Sequence, residues 1–175
     1  AEEAKVDNVS KYHVSFAMMM TVESIMECHV TTVPNTTSLR DVWKLFSQKK
    51  FNSAPVIDKD KHLIGILSKE DMLQLLYPDY RAYVSDIGIE SDALEEDKEF
   101  IAMMKKRVSE VMNKNVIYTH KQTSVMRALG RMIAHRVNQL PVVDDENHVV
   151  GIITKGTIFE GLYRCHKSLF RRKSK

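Results

Sequence analysis

Asn52-Ser53-Ala54-Pro55-Val56-Ile57-Asp58-Lys59-Asp60-Lys61-His62-Leu63-Ile64-Gly65-Ile66-Leu67-Ser68 returns later in the chain as Asn138-Gln139-Leu140-Pro141-Val142-Val143-Asp144-Asp145-Glu146-Asn147-His148-Val149-Val150-Gly151-Ile152-Ile153-Thr154. In both copies two short runs rich in Val, Ile and Leu flank a polar turn, the pattern of buried strands joined as a hairpin. Pro55 and Pro141 have no N–H for a ladder, so they are expected to begin their strands or lie at an edge. Asp58 and Asp144 open the turns, and His62 and His148 close them.

The match extends outward without a gap, residues 22–72 on residues 108–158. Met26 meets Met112, Thr37-Ser38 meets Thr123-Ser124, and Lys69 meets Lys155. Upstream of each hairpin the apolar residues fall at helical spacing: Leu39, Val42, Trp43 and Phe46, then Val125, Ala128, Leu129, Met132 and Ile133. Ser38 and Ser124 stand where an N-cap hydroxyl takes up orphan backbone N–H groups, and Asp41 suggests a capping box. A short strand is expected at 30–33 and again at 116–119, and further helices near Lys69 and Lys155. Each copy thus reads strand, helix, strand, strand, helix. One such copy has too little helix to cover its sheet, whereas two packed sheet to sheet bury both faces.

With 43% hydrophobic and 28% charged residues in 175, the chain has the balance of a globular protein able to bury a core. Cys28 and Cys165 lie far apart without metal-ligand spacing, which fits free thiols in a reducing compartment. No apolar run approaches the length of a membrane span, and the expected location is cytoplasmic. Between the copies, residues 77–88 read as irregular chain with a short helix. From residue 92 a charged helix is expected to run toward Val111 with Leu94, Ile101, Met104 and Val108 inward. Residues 14–20 suggest a short segment packed on the module or on a second subunit. The net charge of +3 conceals a basic tail, 164–175, with six Lys or Arg and no acid. Such a tail attracts nucleic acid or an anionic membrane, or is a solvated terminus.

The doubled strand–helix–strand–strand–helix unit, with Pro-Val-h-Asp followed by h-h-Gly-h-h-Ser/Thr, resembles the cystathionine-β-synthase (CBS) domain (h, apolar) over most of the chain. The resemblance implies an α/β (α+β) fold of two pseudo-twofold-related domains packed sheet to sheet, a Bateman module. It divides the chain into an N-terminal segment (1–21), a first CBS domain (22–76), a connecting segment (77–107), a second CBS domain (108–163) and the basic tail (164–175). It also implies a non-catalytic regulatory module that binds an adenosine compound (AMP first, or ADP or ATP) in a cleft between the repeats, commonly as a homodimer acting on a regulated protein.

The family's ribose motif, Gly-h-h-Ser/Thr-x-x-Asp, is matched by Gly65-Ile66-Leu67-Ser68-Lys69-Glu70-Asp71. A carboxylate accepts both ribose hydroxyls in charge-assisted bonds, and a hydroxyl at the helix start meets ribose or phosphate. Asp71 also has a simpler role open to it, as a first-turn acid favoured by the helix dipole. The adenine wall carried over by position is Val116 and Ile117 with Asn138, Gln139, Leu140 and Pro141. The second copy keeps Thr154 but has Thr157 in place of the acid, a weaker diol acceptor. Its cleft would draw on Thr154 and Thr157 with Val30, Thr31, Asn52, Ser53 and Ala54. Some relatives put Arg or His near positions 138 and 139 to hold phosphates. Here those positions are uncharged, with Lys69, Lys155 and Arg136 as candidate substitutes.

Other chemistry finds less support. Gly151-x4-Gly156-Thr157 lacks the lysine of a phosphate loop, and its middle is a strand. Ser47-Gln48-Lys49-Lys50 lies at a charged helix end without companion motifs. The seven histidines show no two-ligand spacing, so no metal is expected, and no cofactor; the Met18–Met20 run reads as packing. No nucleophile, base and orienting group occur together. The competing readings are a scaffold with vestigial clefts, and tail-mediated association with nucleic acid or membrane.

Overall fold

In the computed structural model, which describes residues 19–49, 51–75 and 93–167, the first repeat forms β1 (Val33–Pro34), α1 (Leu39–Gln48), β2 (Ser53–Ile57), β3 (Leu63–Ser68) and α2 (Lys69–Gln74). A linking helix α3 (Ala93–Lys105) and a single turn α4 (Val108–Val111) follow. The second repeat forms β4 (Thr119–His120), α5 (Val125–Ala134), β5 (Gln139–Val143), β6 (Val149–Thr154) and α6 (Lys155–Cys165). The result is an α/β fold with two three-stranded sheets, ordered β1-β2-β3 and β4-β5-β6. In each, the first pair is parallel and the second antiparallel.

The hairpin turns explain themselves chemically. Asp58 Oδ1 accepts the N–H groups of Asp60 and His62, both at 2.9 Å, and Asp144 Oδ1 accepts those of Glu146 at 3.0 Å and His148 at 2.8 Å. Such Asx bonds let the chain reverse, and Lys61 and Asn147 complete the reversal in the left-handed region at φ 69° and 65°.

Both prolines sit differently from expectation. Pro55 and Pro141 are the third residues of β2 and β5, the central strands of their sheets. Ile66 lies opposite Pro55 but directs its own N–H and C=O to Asn113, each at 2.9 Å, so Pro55 needs no donor toward β3. On its other side the parallel ladder with β1 begins only at Val33↔Val56. The position one step earlier would oppose Pro55, which has no N–H to offer, and the ladder stops there. The same reasoning applies to Pro141 and the Thr119↔Val142 start of β4. It corrects the strands expected at 30–33 and 116–119, which are shorter and shifted toward the C-terminus.

Two compact units emerge, Thr31–Val116 and Ala1–Val30 together with Ile117–Lys175, here called the first-repeat and second-repeat units. Each houses the leading segment of the other repeat. In the first-repeat unit, Leu39 N–H caps onto Lys106 C=O at 2.9 Å, Val108 N–H onto Thr37 C=O at 2.9 Å, and Asn113 bridges Ile66. In the second-repeat unit the counterparts are Val125 N–H to Met20 C=O at 2.8 Å, Val22 N–H to Thr123 C=O at 2.9 Å, and Glu27 bridging Ile152. The cores follow the same division. Val108, Met103 and Met104 are buried with Leu39, Val42, Val56 and Leu67 in one, and Val22 and Met20 with Val125, Met132, Leu140 and Ile153 in the other. A repeat's own sheet and helices therefore leave a gap that the other repeat's leader fills.

The linking helix departs from its expected course. It ends at Lys105, and Arg107 starts a new turn with extended backbone (φ −90°, ψ 154°) and a capping bond from its N–H to Glu110 at 2.8 Å. The break re-aims the apolar stripe: Met103, Met104 and Val108 are buried while Ile101 is 52% exposed. Phe100 packs edge-on against Trp43, ring centres 5.7 Å apart. The side chain of Leu94, the 77–88 stretch, residues 14–18 and the tail from 168 lie outside the described residues. Cys28 and Cys165 are free and exposed, and among the described residues no helix is long and apolar enough to cross a membrane.

Candidate functional site

Asp71 is positioned by the start of α2. Its Oδ2 accepts the Ser68 backbone N–H at 2.7 Å and the Ser68 hydroxyl at 2.6 Å, while its own N–H donates to Ser68 Oγ at 3.0 Å. This is a reciprocal capping box, and it fixes the half-buried carboxylate at the end of β3. Every hydrogen bond Asp71 accepts from the described residues ends on Oδ2, leaving Oδ1 as the acceptor on offer. Ser68 donates its hydroxyl proton to Asp71, so in this state it orients the acid. Asp41 behaves differently from expectation: it accepts the Ser38 hydroxyl at 2.7 Å and donates its N–H to Ser38 Oγ at 3.2 Å. The Ser38 N-cap forms, with the acid on its hydroxyl.

The equivalent start of α6 closes on itself. Thr157 Oγ1 accepts the Thr154 N–H at 2.9 Å and lies 3.0 Å from the Thr154 carbonyl, to which it can donate, while Thr157 N–H meets Thr154 Oγ1 at 3.0 Å. The neutral hydroxyl completes the cap with its single proton directed at the backbone. A diol would find less to bind there than at Asp71.

The adenine-wall residues divide by burial. Val116 and Ile117 are half-buried, and Ile117 packs on the core of the second-repeat unit. Asn138 is exposed and Gln139 half-buried, whereas Leu140 is fully buried and Pro141 buried beside it. Ala54 is likewise a core residue, with Val30, Thr31 and Ser53 half-buried and Asn52 exposed. Leu140 and Ala54 give their side chains to their own cores, so only their backbone is available to a ligand. Within the second-repeat unit β5 and β6 bring Gln139 opposite Thr154. Lys155 is tied to Asn138 twice, by its N–H to the carbonyl at 3.0 Å and by Nζ to Oδ1 at 3.2 Å. Sequence reasoning named Lys155 only as one of three cations; the side-chain link to Asn138 has no signal in spacing. A groove of about 420 Å³ on the same unit, lined by Met20, Ile25, Gly161, Arg164 and Cys165 among others, shares none of these residues.

Asp58, Asp60 and His62 bring ligand-type atoms within 4.8 Å of one another, yet the turn itself accounts for them. Partial burial of the Asp58 carboxylate pushes its pKa up. The backbone N–H and ring of His62, with the N–H of Asp60, outweigh that and hold it below the ordinary value. For Asp144 the His148 N–H is the largest influence, and with the His148 ring and the Glu146 N–H it lowers the pKa against partial burial. These are turn carboxylates whose acceptors are engaged by their own loop.

Known proteins carry the same architecture. Residues 22–78 and 108–164 match the family model of the CBS domain. An uncharacterised protein of Methanocaldococcus jannaschii, MJ1426, is 29% identical over 82% of this chain and 92% of its own length. The solved CBS domain of a CBS-domain-containing membrane protein from Sphaerobacter thermophilus is 25% identical, with a TM-score of 0.72 over 90% of this chain and 96% of that one. The CBS domain pair of protein MJ0100, solved with 5′-methylthioadenosine and S-adenosyl-L-methionine, is 25% identical with a TM-score of 0.60, over 81% of this chain and 94% of that one. A duplicated hairpin, two matching sheets and the family model at both repeats agree: the chain belongs to the CBS domain family, as a tandem pair.

Proposed function

We propose that this CBS pair is a non-catalytic regulatory module that binds an adenosine-containing ligand, AMP foremost, in the cleft the family forms between its repeats. Ser68 and Asp71 hold the ribose, with Val116, Ile117 and the 138–141 stretch against the base. The observation that carries the reading is the Asp71 carboxylate, fixed by a capping box that leaves Oδ1 unengaged by the described residues. The MJ0100 pair, which holds two adenosine compounds, supports the ligand class. Thr157, committed to its own cap, makes the second cleft the weaker one, whether for ADP, ATP or another adenosine compound.

The module is proposed to work as a homodimer in the cytoplasm, transmitting the ligand-bound state to a regulated protein. Met126, Ile133, Phe159 and Tyr163 on α5 and α6 are 40%, 63%, 75% and 46% exposed, an apolar helical face suited to a second copy. Two exposed free thiols fit a reducing compartment.

One observation favours a scaffold with vestigial clefts instead. Both candidate ribose positions serve as helix caps, which is reason enough for an acid or a hydroxyl there. Isothermal titration with AMP separates the two readings when paired with Asp71→Thr. That substitution copies the cap already present at Thr154 and Thr157 and removes only the carboxylate. The sensor reading expects a loss of about 10- to 100-fold in affinity, since a charge-assisted bond is worth about 1.5–3 kcal/mol. Equal affinity in the variant removes Asp71 from the site, and no binding at millimolar AMP favours the scaffold.

A further inference from the structure

In the first-repeat unit the leader is preceded by α3, which lies on α1. Phe100 packs on Trp43 with ring centres 5.7 Å apart, and Met103 and Met104 are buried with Leu39, Val42 and Phe46. The leader of the second-repeat unit begins in the same way. Met20 C=O accepts the Val125 N–H at 2.8 Å, as Lys106 C=O accepts that of Leu39 at 2.9 Å. Met19, the first described residue, is helical like its equivalent Lys105, the last residue of α3. The register that aligns 22–72 with 108–158, carried back along the chain, sets Val14, Ala17 and Met18 on Phe100, Met103 and Met104, apolar for apolar.

The α5 surface that would receive such a segment is exposed. Met126, Leu129 and Ile133 fall three and four residues apart on one stripe, with Met126 40% and Ile133 63% exposed and Leu129 half-buried. Their equivalents on α1 are Arg40, Trp43 and Ser47, polar on both sides of the tryptophan. The chain ahead of Met19 differs in step, since Tyr12 and Phe16 stand where α3 has Lys98 and Ala102. Relative to the first repeat, both would-be partners have gained apolar groups together.

We infer that residues 7–18, which lie outside the described residues, are the counterpart of α3 and run along the Met126–Leu129–Ile133 stripe of their own chain, Val14 on Leu129 as Phe100 is on Trp43. The occupant and the surface belong to one compact unit, which joins residues 1–30 to 117–175. The leader would then be held at both ends, by this segment before Met20 and by the Glu27–Ile152 pair after it. The self-association face proposed above centres accordingly on Phe159 and Tyr163 of α6.

The test is disulfide trapping in the full chain carrying Cys28→Ser and Cys165→Ser. Val14→Cys with Leu129→Cys is compared with Phe100→Cys with Trp43→Cys, a pair the structure holds in contact. Oxidation with diamide is expected to bridge the Val14/Leu129 pair within one chain, giving a faster monomer band on a non-reducing gel. A bridge between two chains gives a dimer band, assigns the stripe to a second copy and overturns the inference. So does failure to bridge where the Phe100/Trp43 pair succeeds. A second readout needs no oxidant. Val14→Asp with Met18→Asp is expected to lower the melting temperature by about 4 °C or more and to raise binding of a dye that lights up on apolar surface. Adding Met126→Arg and Ile133→Ser, the first repeat's residues, should return dye binding to the wild-type level. Unchanged melting and dye binding in the first variant, or dye binding that stays high in the second, also overturns the inference.

Discussion

Gly151→Ala places a methyl group where the leader of the first repeat crosses β6. A Cβ built on Gly151 lies 2.7 Å from Met26 Sδ, 3.3 Å from Met26 Cγ and 3.2 Å from the Glu27 carbonyl oxygen. The thioether is pliable and swings aside at modest cost, but the carbonyl is held by a reciprocal pair of bonds between Glu27 and Ile152, each 2.9 Å. Overpacking of this kind costs about 1–3 kcal/mol. At about 2–4 °C per kcal/mol for a chain of this size, the melting temperature falls by about 2–12 °C. The assay is thermal unfolding of a double-mutant cycle with Met26→Ala, which removes the sulfur and leaves the carbonyl. Because the two side chains share one space, the double variant loses at least about 0.5 kcal/mol less than the sum of the singles. Strict additivity, or an unchanged melting temperature in Gly151→Ala, would refute the claim that the leader of one repeat is packed into the other unit. Gly65 repeats the arrangement with Met112, and Gly65→Ala should behave alike.

Thr119 is fully buried with its hydroxyl unpartnered among the described residues, and the equivalent residue of the first repeat is Val33. Thr119→Val is therefore expected to stabilise by about 1 kcal/mol, a rise of about 2–4 °C in the melting temperature, and a fall would mean that the hydroxyl has a partner. Ser124 caps α5 by accepting the Arg127 N–H at 3.3 Å; Ser124→Ala should cost about 1 kcal/mol in urea unfolding, and no change would mean the bond does not form in solution. The lowered pKa values of Asp58 and Asp144 give a pH dependence of known sign: their contribution is complete above the ordinary value of 3.8 and is lost as pH falls through the folded-state pKa. The melting-temperature gap between wild type and Asp144→Ala should accordingly close in acid, and a gap that widens below pH 3.8 contradicts the assignment. The proposed homodimer through the exposed residues of α5 and α6 is tested by replacing Phe159 and Tyr163 together by Glu: light scattering is expected to give a dimer mass for the wild type and a monomer mass for the variant, and equal masses for the two contradict the proposal.

The hairpins were legible because everything that makes them is local. Asp58 and Asp144, the left-handed Lys61 and Asn147, and the alternating apolar runs act within a few residues of one another. The Ser38 and Ser124 caps were readable for the same reason. The first strands were misjudged because their length is set by a distant residue, the proline that ends each parallel ladder. The exchange of leaders could not be seen at all, since Met26 on Gly151 and Met112 on Gly65 are contacts between opposite ends of the duplication. At the candidate site the motif singled out Asp71 by its place in the repeat. That Ser68 is engaged in orienting it, that Leu140 is a core residue, and that Lys155 leans on Asn138 are matters of side-chain geometry.

Calorimetric titration of the wild-type chain with AMP and with 2′,3′-dideoxy-AMP most directly tests whether the Asp71 carboxylate grips a ribose diol. Saturable binding of AMP with a loss of at least about 10-fold for the dideoxy compound is the predicted result. Indistinguishable affinities for the two, or heat from neither, would contradict it.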